Sequence, residues 1–221
     1  MSASFKTCYG YQTTRCNYDN INAGTKNLPH FAQSSFLDNP GSIDDEIHQW
    51  LTDGYYFWLN SDRYAEWWGK YILKSDYLIT KYEISLERDD VLDLIENPDD
   101  EDYFFWLVET YLEKYNQSIG VPGAEHLPVP TVSSILHFFR KTEPEIFPFL
   151  AVTITDFWTA EPVFQYLQKH KYLKMSPTST SQHDKYRAMG RPQICVFEEV
   201  KNCITNSTPI YPGEYVDSFS E

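Results

Sequence analysis

Three short segments concentrate the side chains able to do chemistry. They are Tyr9-Gly10-Tyr11-Gln12-Thr13-Thr14, then Leu51-Thr52-Asp53-Gly54-Tyr55-Tyr56-Phe57-Trp58 followed by Ser61, Ala65 and Trp68, and finally Arg191-Pro192-Gln193-Ile194-Cys195-Val196-Phe197. Four consecutive aromatic rings offer flat apolar surface on which a planar ligand ring can stack. Gln12 and Gln193 each carry a donor and an acceptor on one planar amide, so either can hold a hydroxyl or a carboxamide. The same rings would serve equally as the core side of a strand, and Gln12 as a solvated strand end. No Gly-x-Gly-x-x-Gly, no Gly-Lys-Ser/Thr phosphate loop, no His-Glu-x-x-His and no serine elbow occurs in the chain. His183 falls in a polar stretch where it could meet a target, and His137 falls on a helix face.

Taken in order, the three segments resemble the ADP-ribosyltransferases of the His-Tyr-Glu branch, which includes the poly-ADP-ribose polymerases, diphtheria-type toxins and many small bacterial relatives. In that family a first strand ends in a His-Gly-Thr-like motif. A loop leads to a Gly-x-Tyr-Phe strand, a helix with an early Ala follows, and a late strand starts with Glu. Gly54-Tyr55-Tyr56-Phe57 and Ala65 match the second and third features, and Leu92-Asp93-Leu94 also looks like small bacterial members. The resemblance runs in order from about residue 8 to 204. It departs from the family at two places: Gln12 (or Tyr11) stands where the His belongs, and Gln193 where the Glu belongs. A neutral amide can still bond a ribose hydroxyl but stabilises less positive charge than a carboxylate. Alternation along a continuous strand would put Glu199 on the Gln193 face, six residues or roughly 20 Å away.

The resemblance implies an α+β fold with a split two-sheet β core and helices packed around it. It implies NAD as substrate, with Tyr56 stacked on the nicotinamide and Gln193 orienting the ribose hydroxyl as the catalytic pair. Tyr11, Gln12, Thr13, Gly54, Tyr55 and Ser35 would hold the rest of NAD. ADP-ribose would pass to a macromolecular acceptor, protein favoured over nucleic acid, as in a toxin or defence effector with a neutralising partner protein. The alternatives are an NAD-binding or protein-interaction module on the same fold without catalysis, and an unrelated acidic interaction protein whose aromatics are only core.

The elements that must position these residues are legible from periodicity. Strands are expected at 5–12, 54–58, 77–86 with a short continuation at 92–94, 149–157 and 193–197. Helices are expected at 17–24, from Ser42 to Trp50, from Ser61 to about Leu73, after the acidic run 96–102, over Val132–Phe139, and at 162–173. Phe104, Leu107, Val108, Tyr111 and Tyr115 follow helical spacing and predict a core face. Residues 27–41, 120–130 and 176–192 read as loops and the tail from Asn206 as irregular. The rhythm is not a strict alternation of strand and helix, which favours α+β over a parallel α/β sheet.

Composition narrows the class further. The 221 residues are 42% hydrophobic and 17% aromatic, enough for one core without staples. With 32 acidic against 18 basic residues the formal charge is −14, which opposes nonspecific binding to phosphate backbones. Lys169, His170, Lys171 and Lys174 form one compact basic stretch, read as a solvated helix end. Cys8 and Cys16, like Cys195 and Cys203, are eight apart, unlike structural zinc pairs, and no metal site is expected. No signal-like apolar run opens the chain and no stretch nears 20 apolar residues, so the expectation is a single cytoplasmic domain without membrane contact.

Overall fold

The computed structural model describes residues 5–15, 29–33, 51–118, 132–155 and 191–213. The helices expected at 17–24, 42–50 and 162–173 lie outside them, as do Ser35, His183 and the basic stretch 169–174.

The described chain is mixed α and β, built on a mostly antiparallel sheet of eight strands. In chain order these are β1 (Phe5–Arg15), β2 (Phe31–Ala32), β3 (Gly54–Leu59), β4 (Tyr77–Glu87), β5 (Val91–Asp93), β6 (Ala151–Thr155), β7 (Pro192–Val196) and β8 (Ile204–Tyr211). The helices are α1 (Asp62–Trp68), α2 (Pro98–Ser118) and α3 (Val132–Thr142). Spatially the strands run β5-β6-β7-β3-β1-β4-β8, with β2 beside β3.

The sheet has a weak seam. β1 and β4 pair along the whole of β1, but β1 and β3 meet only at Gly10–Leu59 and Tyr11–Trp58. Gly10 is required there, because a Cβ would lie 2.6 Å from Ile84 Cδ1 and 2.8 Å from Phe57 Cβ. The two halves bend towards each other about this seam. Lys6 on β1 forms an ion pair with Asp93 on β5, although three strands separate them in sheet order. The inner faces therefore share one core, in which Tyr55, Phe57, Ile194 and Val196 of one half pack with Tyr82, Ile84 and Leu86 of the other. The expected two sheets are thus one hydrogen-bonded sheet, because the two pairs at the seam keep the halves joined.

Helices cover the outer face in two groups. Phe104, Leu107, Tyr111, Ile135, Leu136 and Phe139 of α2 and α3 pack on Val152, Ile154 and Cys195. Each such side chain contributes about 1.5–3 kcal/mol on burial. On the other half, Ala65 of α1 packs with Trp58, Tyr77 and Ile79.

Several boundaries differ from expectation. α1 ends at Trp68 and continues as one π turn over Gly69–Leu73. Ser61 occupies its N-cap position without a side-chain cap bond. Residues 91–93 do not extend β4; β5 pairs in parallel with β6 at the opposite edge. The acidic run does more than begin α2, since Asp100 Oδ2 accepts from the Asp93 N–H at 2.7 Å. A short strand, β2, forms inside the expected 27–41 loop by pairing Phe31 with Tyr55. Residues 206–211 are strand, since β4 supplies a partner along two bulges; Asn206 (φ 50) and Pro209 disguise the pattern locally.

Candidate functional site

Strand register places one row of side chains across the outer face. Gln193 on β7 stands opposite Trp58 on β3, Trp58 opposite Tyr11 on β1, Tyr11 opposite Lys81 on β4, and Lys81 opposite Thr208 on β8. Adjacent strands lie about 4.8 Å apart, so Gln193 and Lys81 are separated by roughly 14 Å. Only the Gln193 end of the row lies between the two helical groups: Gln193 is flanked on one side by Ile154, which belongs to the α2–α3 cluster, and on the other by Trp58, which with Tyr11 packs against α1.

Gln193 is only 4% exposed, and among the described residues no hydrogen bond engages its amide. Aromatic rings gather beside it. The Trp58 ring lies 6.0 Å from Trp68 and 6.0 Å from Tyr64. Arg191, two residues before Gln193, sets its guanidinium 3.6 Å from the Trp67 centroid and 5.6 Å from that of Trp58. Cation–aromatic contact of this kind orders both partners. Tyr64 and Trp67 were not singled out in the sequence, although their spacing relative to Trp68 and Tyr71 follows one helix surface.

The other expected residues fall in different places. Tyr56 shares the outer face, opposite Cys195, with its ring half-buried against the α2–α3 cluster. Its hydroxyl accepts from the N–H groups of Leu51 and Thr52, each at 3.0 Å, and donates to the Thr52 carbonyl at 2.5 Å. Burial raises its pKa well above the usual phenol value. The hydroxyl holds a turn in which Thr52 has φ 135, a region unfavourable for a β-branched residue. Arg140 of α3 fastens the same turn, donating to the Asp53 carbonyl at 3.0 Å while stacked 3.6 Å from the Phe197 centroid.

Gln12 lies on the inner side of the seam, and its amide is used by the backbone. Nε2 donates to the carbonyls of His30 at 2.9 Å and Tyr56 at 3.2 Å, and Oε1 accepts from the His30 N–H at 2.6 Å. The Thr13 hydroxyl donates to the Ala65 carbonyl at 2.7 Å and ties α1 to β1. Tyr55 faces the inner core, edge-on to Phe31 at 5.1 Å. Gly54 permits close packing, since a Cβ would sit 2.5 Å from Cys195 Sγ.

Glu198 and Glu199 are not on the late strand as expected. β7 stops at Val196, and Glu198–Cys203 forms a 3-10 turn. Glu199 pairs with Arg140 at 3.3 Å and Glu198 with Lys201 at 3.3 Å. Among the described residues no group of three His, Cys, Asp or Glu side chains is placed to hold a metal ion, and no helix is long and apolar enough to cross a membrane.

Comparison with known protein families, with curated proteins and with solved structures found no match to this chain.

Proposed function

We propose that this chain is an ADP-ribosyltransferase-like domain that takes NAD at the outer face beside Gln193 and passes ADP-ribose to a macromolecular acceptor, protein in preference to nucleic acid. Gln193 carries this reading: its amide is buried beside the Trp58 ring, and among the described residues no hydrogen bond engages it. A ligand hydroxyl at that position would give the amide a partner, a net gain of about 0.5–1.5 kcal/mol. The half-buried Trp67 and Tyr56 rings supply flat surface for nicotinamide nearby. The seam between β1 and β3 adds support, because a split core of the family type would part there.

In this reading the glycosidic bond between nicotinamide and ribose breaks as positive charge grows on the sugar. The Gln193 amide oxygen accepts from a ribose hydroxyl and stabilises that charge modestly. Thr13 and Gln12 act through the scaffold, the first placing α1 and the second closing the seam. A neutralising partner protein and a cytoplasmic site of action belong to the same proposal.

A second reading, an NAD-binding module without catalysis, draws on one observation: the nearest carboxylates along the chain, Glu198 and Glu199, are paired with Lys201 and Arg140. Calorimetric titration with NAD and an assay for released nicotinamide separate the readings. Binding with release supports the transferase and binding alone supports the module. No heat at millimolar NAD overturns both.

A further inference from the structure

Near the β8 edge of the outer face lies a cavity of about 320 Å³, lined by Tyr9, Lys81, Glu83, Asn206 and Ile210 among others. That volume is at the small end of ligand sites. A β-bulge opens it. Thr205 stands opposite Glu83 and Thr208 opposite Lys81, so β8 advances three residues where β4 advances two. Asn206 takes up the excess in a left-handed conformation with φ 50. A bulge re-aims a side chain, and here the Asn206 amide donates to Glu83 Oε2 at 3.0 Å. Trp58 and Tyr11, which pack against α1, lie between this cavity and Gln193. The cavity is therefore no part of the proposed NAD site. It carries one charge of each sign, held apart. Lys81 and Glu83 are both half-buried on the same face of β4, about 7 Å apart along the strand, and form no ion pair with each other. The Lys81 ammonium lies 3.7 Å from the Tyr9 ring centroid, and among the described residues it forms no ion pair or hydrogen bond. Tyr9 is 48% exposed, so part of its ring remains open.

We infer that this cavity binds a free α-amino acid, its carboxylate on the Lys81 ammonium and its ammonium on the Glu83 carboxylate. Each protein charge is held in place by a neutral group, Lys81 by the Tyr9 ring and Glu83 by the Asn206 amide. Neither contact exhausts the charge it holds. An ammonium has three N–H donors, and a carboxylate has two acceptor oxygens. A simple anion would meet Lys81 but be opposed by Glu83, and a simple cation would meet the reverse. At about 7 Å both terms act within the Debye length of about 8 Å at physiological salt. An α-amino acid carries both charges on one carbon and so satisfies both groups, through charge-assisted bonds about twice as strong as neutral ones. The Tyr9 ring and the Ile210 side chain offer its side chain an apolar wall, which favours an apolar or aromatic amino acid. This assignment stands apart from the NAD reading.

The test is calorimetry on the full chain with each standard L-amino acid of apolar or aromatic side chain, up to millimolar concentration. The N-acetyl and amide derivatives of any that binds are titrated next. At least one amino acid should bind saturably. Its N-acetyl form lacks the ammonium and its amide lacks the carboxylate, so each should bind at least about tenfold more weakly, as expected for loss of one charge-assisted contact. Lys81→Met keeps an unbranched apolar stem over Tyr9 and removes the charge. Glu83→Gln keeps the shape and an acceptor for Asn206. Each variant should lose at least about tenfold in affinity for the parent amino acid. No binding by any of the amino acids overturns the assignment. So does a derivative that binds wild type as tightly as its parent, or unchanged affinity in either folded variant.

Discussion

The Gln12 side chain grips the backbone of His30 at both ends, accepting from its N–H at 2.6 Å and donating to its carbonyl at 2.9 Å. A side-chain amide thus takes the place of a strand partner where β1 and β3 part. With the further bond to the Tyr56 carbonyl, it joins three segments distant in sequence. Gln12→Ala should strand these backbone groups and destabilise the fold by at least about 1–3 kcal/mol. Urea unfolding is the measurement. An unchanged midpoint would show that water or another side chain replaces the amide.

Tyr56→Phe should also destabilise, by about 1–3 kcal/mol, because the N–H groups of Leu51 and Thr52 lose their acceptor. The ring remains, so NAD affinity per folded molecule should change little if stacking is its role in binding. Thermal unfolding together with titration separates the two effects. A large loss of affinity at unchanged stability would place the hydroxyl against the ligand.

Gln193 gives the test of chemistry. Gln193→Ala should reduce nicotinamide release by about 10²–10³, the usual effect of losing one preorganised contact to developing charge. Unfolding should be affected little, since among the described residues the amide holds no hydrogen bond. Gln193→Glu restores a negative charge beside the sugar and should preserve or raise the rate. Wild-type turnover in Gln193→Ala would place the chemistry elsewhere.

Asp93 should make the fold acid-sensitive. Burial alone would raise its pKa, but hydrogen bonds from Lys6, Thr153 and the Ile95 N–H, with the Lys6 charge, lower it overall. A folded-state pKa below the unfolded value of about 3.9 contributes stability above that value, and the contribution is lost as pH falls through the folded pKa. Lys6→Met leaves burial less opposed and raises the Asp93 pKa, so the variant should be less stable at neutral pH and lose less of its remaining stability on acidification than wild type. An equal loss of stability on acidification in the two proteins would contradict this account.

The buried thiols should be inert in the native state. Burial pushes Cys195 up to about 12 and Cys8 and Cys203 up to about 11. The thiolate is the reactive form, so iodoacetamide at pH 8 should modify Cys195 only after unfolding in urea. Peptide mass spectrometry reads the outcome. Rapid native labelling of Cys195 would mean that the β6–β7–β3 half opens readily.

Elements held together by their own periodicity were legible in the sequence. Phe104, Leu107, Val108 and Tyr111 announce the buried face of α2, and the alternation in 77–86 announces β4, because side-chain spacing on one element depends only on that element. β8 was not legible: Ile204–Tyr211 becomes a strand because β4 offers backbone partners 122 residues away in the case of Thr205 and Glu83. The aromatic strand and the two glutamines were visible as candidates by residue type alone. Their division of labour was not. Gln12 and Gln193 carry the same amide. Strand register puts Gln12 on the inner face, against the backbone of His30, and Gln193 on the outer face beside Trp58, without a hydrogen bond among the described residues. Local sequence decides which groups a strand carries. Only the pairing of strands distant in sequence decides which of those groups the fold uses and which it leaves for a ligand.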